Sequence, residues 1–163
     1  MSLKKTGILL LLLPVFAVAL PTDREQPLTA TSHQAELHQT TLVGIFNGNV
    51  HAIQGSTSLD SDKLTIQLNP SHQVKSAIAD GSPAVYTTTV KPHETPLVAK
   101  AKRIEYYPLQ HLVVLMGDGL VTRNKDTYAS PLIYYDTLSQ AVRSPKEPGG
   151  RTTIVIQPQH QPS

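Results

Sequence analysis

Apolar and polar residues alternate along this chain in short runs, and no stretch holds a 3.6-residue period for three turns. Thr and Val recur inside the runs. Turn or corner signals fall between them at Gly48, Gly55, Asp60-Ser61-Asp62, Asn69-Pro70, Asp80-Gly81, Pro92, Pro108, Gly117 to Gly119, Asn124-Lys125-Asp126 and Pro145 to Gly150. This pattern predicts strands joined by turns, with essentially no helix in the mature chain. Inside the runs the alternation slips. In TSLDSDKLTIQL, Leu59 stands on one parity while Leu64, Ile66 and Leu68 stand on the other. A strand keeps one face only while parity holds, so a bulge, bend or turn is expected near Asp60 to Asp62.

The stretch IFNGNVHAIQG, Ile45 to Gly55, raises the same question. Asn-Gly after an apolar pair is a strong hairpin signal. A shift of 69 residues offers a different reading. It lays SHQAEL (Ser32 to Leu37) over AKRIEY (Ala101 to Tyr106), LVGIFNGNV over HLVVLMGDG, and SDKLTI over SPLIYY, with Gly48 on Gly117. A β unit present twice suggests stacked, similar layers and a strand that bends at Asn47-Gly48 and continues. Towards the C-terminus the proline-rich linker SPKEPGG precedes a strand expected over Arg151 to Gln157, ended by Pro158. A lone strand on a linker must pair with an edge, its own or a neighbour's.

The first residues read as an address. Lys4 and Lys5 precede an apolar stretch from Gly7 to Phe16, and Ala17-Val18-Ala19 fits a cleavage site, so residues 1–19 are expected to be a signal peptide cut after Ala19. The apolar run is shorter than the roughly 20 residues that span a bilayer, although a retained anchor is the alternative. The full chain has 14 Lys+Arg and 12 Asp+Glu, and losing Lys4 and Lys5 leaves 12 basic against 12 acidic residues. No excess of positive charge remains to steer the protein to nucleic acid. There is no cysteine, which excludes thiol chemistry and cysteine-ligated metal.

Candidate chemistry is sparse. The seven histidines, at 33, 38, 51, 72, 93, 111 and 160, show no HxH or HxxxH spacing. The carboxylates of Asp60 and Asp62 lack the rest of a calcium loop, no serine sits in a GxSxG elbow, and Gly117-Asp118-Gly119 leads to no phosphate-binding Lys. No catalytic residue, metal ligand or cofactor is expected; the chain reads as a binding or assembly module rather than an enzyme. Composition by itself favours a dry sandwich core of Leu, Val, Ile and Ala over a groove for hydrocarbon chains. Tyr86, Tyr106, Tyr107, Tyr134 and Tyr135 are placed at its rim, hydroxyls wet.

Gln26-Pro27-Leu28, Ser32 to Leu37, Phe46 to Val50 (FNGNV), Gln54-Gly55 and Ser61 to Leu64 (SDKL) form a combination that resembles the LptA family of periplasmic lipopolysaccharide-transport proteins, of the OstA-like domain group. IADGSPAVY, VVLMGDG and RTTIVIQP continue the likeness over nearly the whole mature chain. The resemblance implies an all-β, open, twisted antiparallel jelly roll over residues 20–143, followed by the linker, final strand and tail of residues 144–163. It implies a periplasmic protein that shields the acyl chains of lipid A. It also implies head-to-tail homo-oligomers that bridge an inner-membrane export complex and an outer-membrane translocon. A membrane-anchored relative in the same pathway, or a periplasmic chaperone-like β domain, is the alternative. By motif position Leu28 and Ala30 fall on an N-terminal edge strand that meets lipid and partner, and Tyr86 on an interior aromatic. Strand alternation adds Val43, Ile45, Leu64, Ile66, Leu112 and Val114 as lipid-facing candidates. The edge for oligomers is assigned to Leu28, Ala30 and the last strand's Thr153, Ile154, Val155 and Ile156.

Overall fold

A computed structural model describes residues 25–89, 94–146 and 150–158. The expected signal peptide, Pro92, part of the linker and the end of the tail lie outside these residues. Ten strands form one sheet: β1 (Leu28–Thr31), β2 (Gln34–His38), β3 (Val43–Gln54), β4 (Thr57–Leu68), β5 (Val74–Thr88), β6 (Leu97–Tyr107), β7 (Leu112–Arg123), β8 (Asp126–Asp136), β9 (Ala141–Arg143) and β10 (Thr153–Val155). The order is β1-β3-β4-β5-β6-β7-β8-β10, with β2 also on β3 and β9 also on β8. All pairings are antiparallel. A short 3-10 turn at Pro108–Gln110 joins β6 to β7. The architecture is an all-β open jelly roll.

One crease crosses the whole sheet. Register shifts fall between Asn47 and Val50, Asp60 and Lys63, Asp80 and Ala84, Lys100 and Arg103, and Met116 and Gly119. The paired residues just below it run Asn47, Lys63, Asp80, Arg103, Met116, Leu132 from strand to strand. Above the crease lie β1, β10 and one half of each long strand; below it lie β2, β9 and the other halves. The crease uses two devices. In β3 and β7 a Gly and the following residue take left-handed backbone (Gly48 φ +80, Asn49 φ +50; Gly117 φ +77, Asp118 φ +53), inserting an extra residue without losing parity. In β4 and β8 the parity itself slips: Ser61 and Leu64 are both buried, as are Ser130 and Ile133. Asn47-Gly48 is therefore a bend inside one strand, and Gly55 supplies the turn to β4.

Bending a sheet about such a line brings its two halves face to face, and burial follows. Leu59, Leu64, Tyr86, Ala99, Ile104, Leu115, Val121 and Ile133 belong to a single core cluster drawn from both halves. Tyr86, above the crease, meets Tyr106, below it, with ring centroids 5.6 Å apart. Each fully buried aliphatic side chain contributes about 1.5–3 kcal/mol relative to exposure, so one contiguous interior holds the halves together without disulfides.

The 69-residue shift holds in the pairing. Asn47 pairs with Lys63 and Val50 with Ser61; Met116 pairs with Leu132 and Gly119 with Ser130. β1 and β2 together match β6: Ala30 lies on Ala52 as Ala99 lies on Val121, and Ala35 on Phe46 as Ile104 on Leu115. The arrangement of β1 with β2, β3 and β4 is thus repeated in β6, β7 and β8.

Candidate functional site

The inner face follows from the rows of paired residues. Phe46, Leu64, Ala79, Ile104, Leu115 and Ile133 make one row below the crease. Ala52, Leu59, Tyr86, Ala99, Val121 and Tyr128 make another above it. All belong to the core cluster or pack against it. Between the two halves the interior reaches the surface at both ends. One mouth lies under β1, lined by Leu28, Ala52, Leu59, Ile66, Ala77 and Tyr106, with about 30 Å³ of free space. The other lies at β10, where Leu97, Val121, Tyr128, Val142, Ile154 and Ile156 surround about 170 Å³. Arg123, above the crease, donates through Nη1 to Oε1 of Gln140 in the β8–β9 turn at 2.8 Å, a polar clasp on the lining of this mouth.

Few polar groups enter the interior. The hydroxyls of Thr57 and Thr88 are 3.1 Å apart and both residues are buried. Tyr86, 1% exposed, hydrogen-bonds to the same two threonines; burial, then the neighbouring Tyr106, pushes its phenol well above the usual tyrosine range. Burial likewise raises the phenol of Tyr135, whose hydroxyl and that of Ser61 are buried with no hydrogen-bond partner among the described residues. The outer face carries the charges. Arg103 bridges Asp80 and Glu105 at 3.0 Å each, and Tyr107 donates to Glu105 at 2.7 Å. Lys102 and Asp118 pair at 2.9 Å, largely in solvent. This arrangement has an apolar inside and an ionic outside. Such an inner face presents surface of the kind that hydrocarbon wets. Among the described residues no group of three His, Asp or Glu side chains could hold a metal ion.

The sequence candidates divide by face. Leu64 and Ile66 are in the core, and Leu28, which is 37% exposed, lines the mouth under β1 while Ala30 packs on the core from the same edge strand. Tyr86 is interior. The placement of all five tyrosines at a wet rim is corrected, because Tyr86 and Tyr135 are each 1% exposed. Val43, Ile45, Leu112 and Val114 are corrected as well. They pair in rows with Gln67, Thr65, Asp136 and Glu105 on the outer face. Val114 is buried at 7% yet stands outside the core cluster. In β3 the inward residues are Gly44 and Phe46, so parity runs unbroken to Val50 and Ala52. Sequence reasoning missed Phe46, Ile104, Val113, Leu115, Val121 and Ile133. Carrying the alternation of Val50 and Ala52 back through the bulge finds Phe46, and the 69-residue shift then finds Leu115.

Both ends of the sheet expose strand edges. β1 and β2 pair only with β3 among the described residues, and β9 and β10 only with β8. The last strand is shorter than expected, Thr153–Val155, and pairs with Ala129, Tyr128 and Thr127 of its own chain. Exposed large apolar residues concentrate at these edges: Leu37 (69%), Ile154 (58%) and Ile156 (75%) among them.

Comparison with known proteins places these features in context. The sequence family described as LptA/(LptD N-terminal domain) LPS transport protein matches residues 29–141. The lipopolysaccharide export system protein LptH of Pseudomonas aeruginosa is 32% identical over 149 residues, covering 87% of this chain and 85% of LptH. The lipopolysaccharide export system protein LptA of Escherichia coli K12 is 28% identical over 147 residues, covering 90% of this chain and 78% of LptA. The crystal structure of LptH, described as the LptA-homologous periplasmic component of the lipopolysaccharide transport device of P. aeruginosa, superimposes with a TM-score of 0.77 at 30% identity. It covers 85% of this chain and 100% of that one.

Proposed function

Since the chain belongs to the LptA/(LptD N-terminal domain) family of LPS transport proteins, we propose that it is a periplasmic lipopolysaccharide-binding transport protein with no catalytic step of its own. It holds the acyl chains of lipid A between the two halves of the creased sheet. The observation that carries this reading is the aliphatic interior with a mouth at each end of the sheet, beneath β1 and beside β10. Hydrocarbon needs apolar surface and no hydrogen-bond partners, and the inner face supplies that surface almost throughout. The mouth under β1 has room for little more than a water, so the halves must part at the crease for a chain to enter. Burying a methylene gains about 0.8 kcal/mol, and part of that gain is spent on separating side chains that already touch. Binding at each position is therefore modest, which suits a conduit that passes its cargo on.

Head-to-tail association of copies through the edges at β1–β2 and β9–β10 would align the mouths and satisfy the unpaired backbone groups. Such a bridge would run from an inner-membrane export complex to an outer-membrane translocon. Titrating purified protein with fluorescent lipopolysaccharide tests the binding reading. Lipid A is expected to compete fully, and the deacylated saccharide not at all. Equal competition by the saccharide would overturn the acyl-chain site.

A further inference from the structure

The molecule contains a joint of the kind that head-to-tail assembly would need, because its duplicated layers are docked to one another inside the chain. The first layer ends in β5, and the second begins with β6. Their register is Thr87 on Val98, Tyr86 on Ala99 and Val85 on Lys100 above the crease, and Ala77 on Tyr106 and Ile78 on Glu105 below it. The strand equivalent to β6 in the first layer is β1 plus β2, at the constant shift of 69. The strand equivalent to β5 in the second layer is β10 plus β9, because these half-strands lie on β8 as β5 lies on β4. Tyr86 pairs with Leu59 as Ile154 pairs with Tyr128, and Ala77 pairs with Ile66 as Val142 pairs with Tyr135. The second layer is thus finished by two short pieces with their outer edges free among the described residues, and the first layer starts with two short pieces likewise free.

Resting on the head-to-tail reading, we infer that the joint between subunits reproduces the internal β5–β6 joint, residue for residue. In that register Ile154 faces Ala30 of a second copy, with Thr153 on its Thr31 and Val155 on its Thr29. Below the crease Val142 faces Leu37, and Arg143 faces Glu36. The side chains suit this pairing. Ile154 (58% exposed) meets a small Ala on the inner face, as Tyr86 meets Ala99. Leu37 (69% exposed) gains an apolar neighbour in Val142, and an exposed arginine meets an exposed glutamate on the outer face. A register displaced by one residue would set the inward-facing Ile154 against outward-facing Thr29 or Thr31 and part the two charges.

The absence of native cysteine makes the register directly measurable. Antiparallel partners sit about 4.5–5.5 Å apart at Cα, within disulfide range. Under mild oxidation a mixture of A30C and I154C chains is expected to form covalent dimers several-fold faster than A30C with I156C. E36R and R143E chains are each expected to self-associate about three- to tenfold more weakly at low salt, and chains carrying both changes to recover. If oligomers form but the displaced cysteine pair crosslinks faster, or the double charge reversal fails to recover, the register is wrong and the head-to-tail reading survives. If well-folded chains stay monomeric at every concentration, both fall.

Discussion

Gly48 and Gly117 should bear more of the crease than any other pair of residues, and replacing either by Ala isolates that role. At φ +80 and +77 both occupy left-handed backbone, which costs a residue with a Cβ about 1–2 kcal/mol. The added methyl at 117 would lie 3.1 Å from Lys102 Cβ and Cδ. Lys102 Cδ can swing aside, while the backbone that carries its Cβ must give by a few tenths of an ångström, which adds to the backbone cost. At 48 it would lie 2.9 Å from His33 Nδ1, so Gly48→Ala should cost slightly more. Each kcal/mol lowers the melting midpoint of a domain this size by about 2–4 °C. Gly117→Ala is then expected to melt about 2–8 °C below the parent in a calorimetric scan, with Gly48→Ala at or below it. The adjoining Asn49 and Asp118 already adopt positive φ with a side chain, and their replacement by Gly should change stability by less than about 0.5 kcal/mol, since their own left-handed strain is relieved while the unfolded chain gains freedom. Gly117→Ala melting with the parent, or Asp118→Gly costing more than Gly117→Ala, would refute the assignment of the bend to the glycines.

Other consequences can be checked alongside. Leu64 is fully buried in the core, so Leu64→Ala should cost about 2–5 kcal/mol by denaturant titration; a loss under about 1 kcal/mol would mean that the halves do not pack as described. Asp136 accepts the backbone N–H groups of Ser139 and Leu138 at 2.8 and 2.9 Å, and the bond from Ser139 leads in holding its carboxyl below the usual range. A depressed folded-state value contributes stability above the ordinary carboxylate pKa and loses it as pH falls through the folded value. Asp136→Ala should therefore melt below the parent at neutral pH, with the gap narrowing in acid; a gap that widened in acid would contradict the role given to these two hydrogen bonds.

Much of the fold was legible because its devices leave marks in sequence. The parity slip from Leu59 to Leu64 is the crease in β4, and the match of Gly48 with Gly117 is the duplicated bulge. The face of the apolar outer residues was not legible. Val43, Ile45, Leu112 and Val114 are favoured in strands for their shape whichever way they point. Their inward neighbours include Gly44, which carries no hydrophobic signal at all. Ala77, Ala79, Ala99 and Ala101 line the interior for a similar reason: small side chains let the two halves approach, but they read as neutral in a hydrophobic pattern. Tyr135 looks amphipathic in sequence, and only the folding of one half over the other shows that it is indoors, whereas for Tyr86 the family motif already pointed to the interior.

The central claim is that lipid lies between the halves and not on the outside of the sheet. Ile66 and Thr65 are neighbours on β4, yet Ile66 is 4% exposed in the core and Thr65 shares the outer row with Ile45. A photo-crosslinking amino acid placed at each position in turn, in cells making lipopolysaccharide, compares the two faces within one strand. Capture of lipopolysaccharide from position 66 and not from 65 is the predicted result. Capture from 65 with none from 66 would contradict the account.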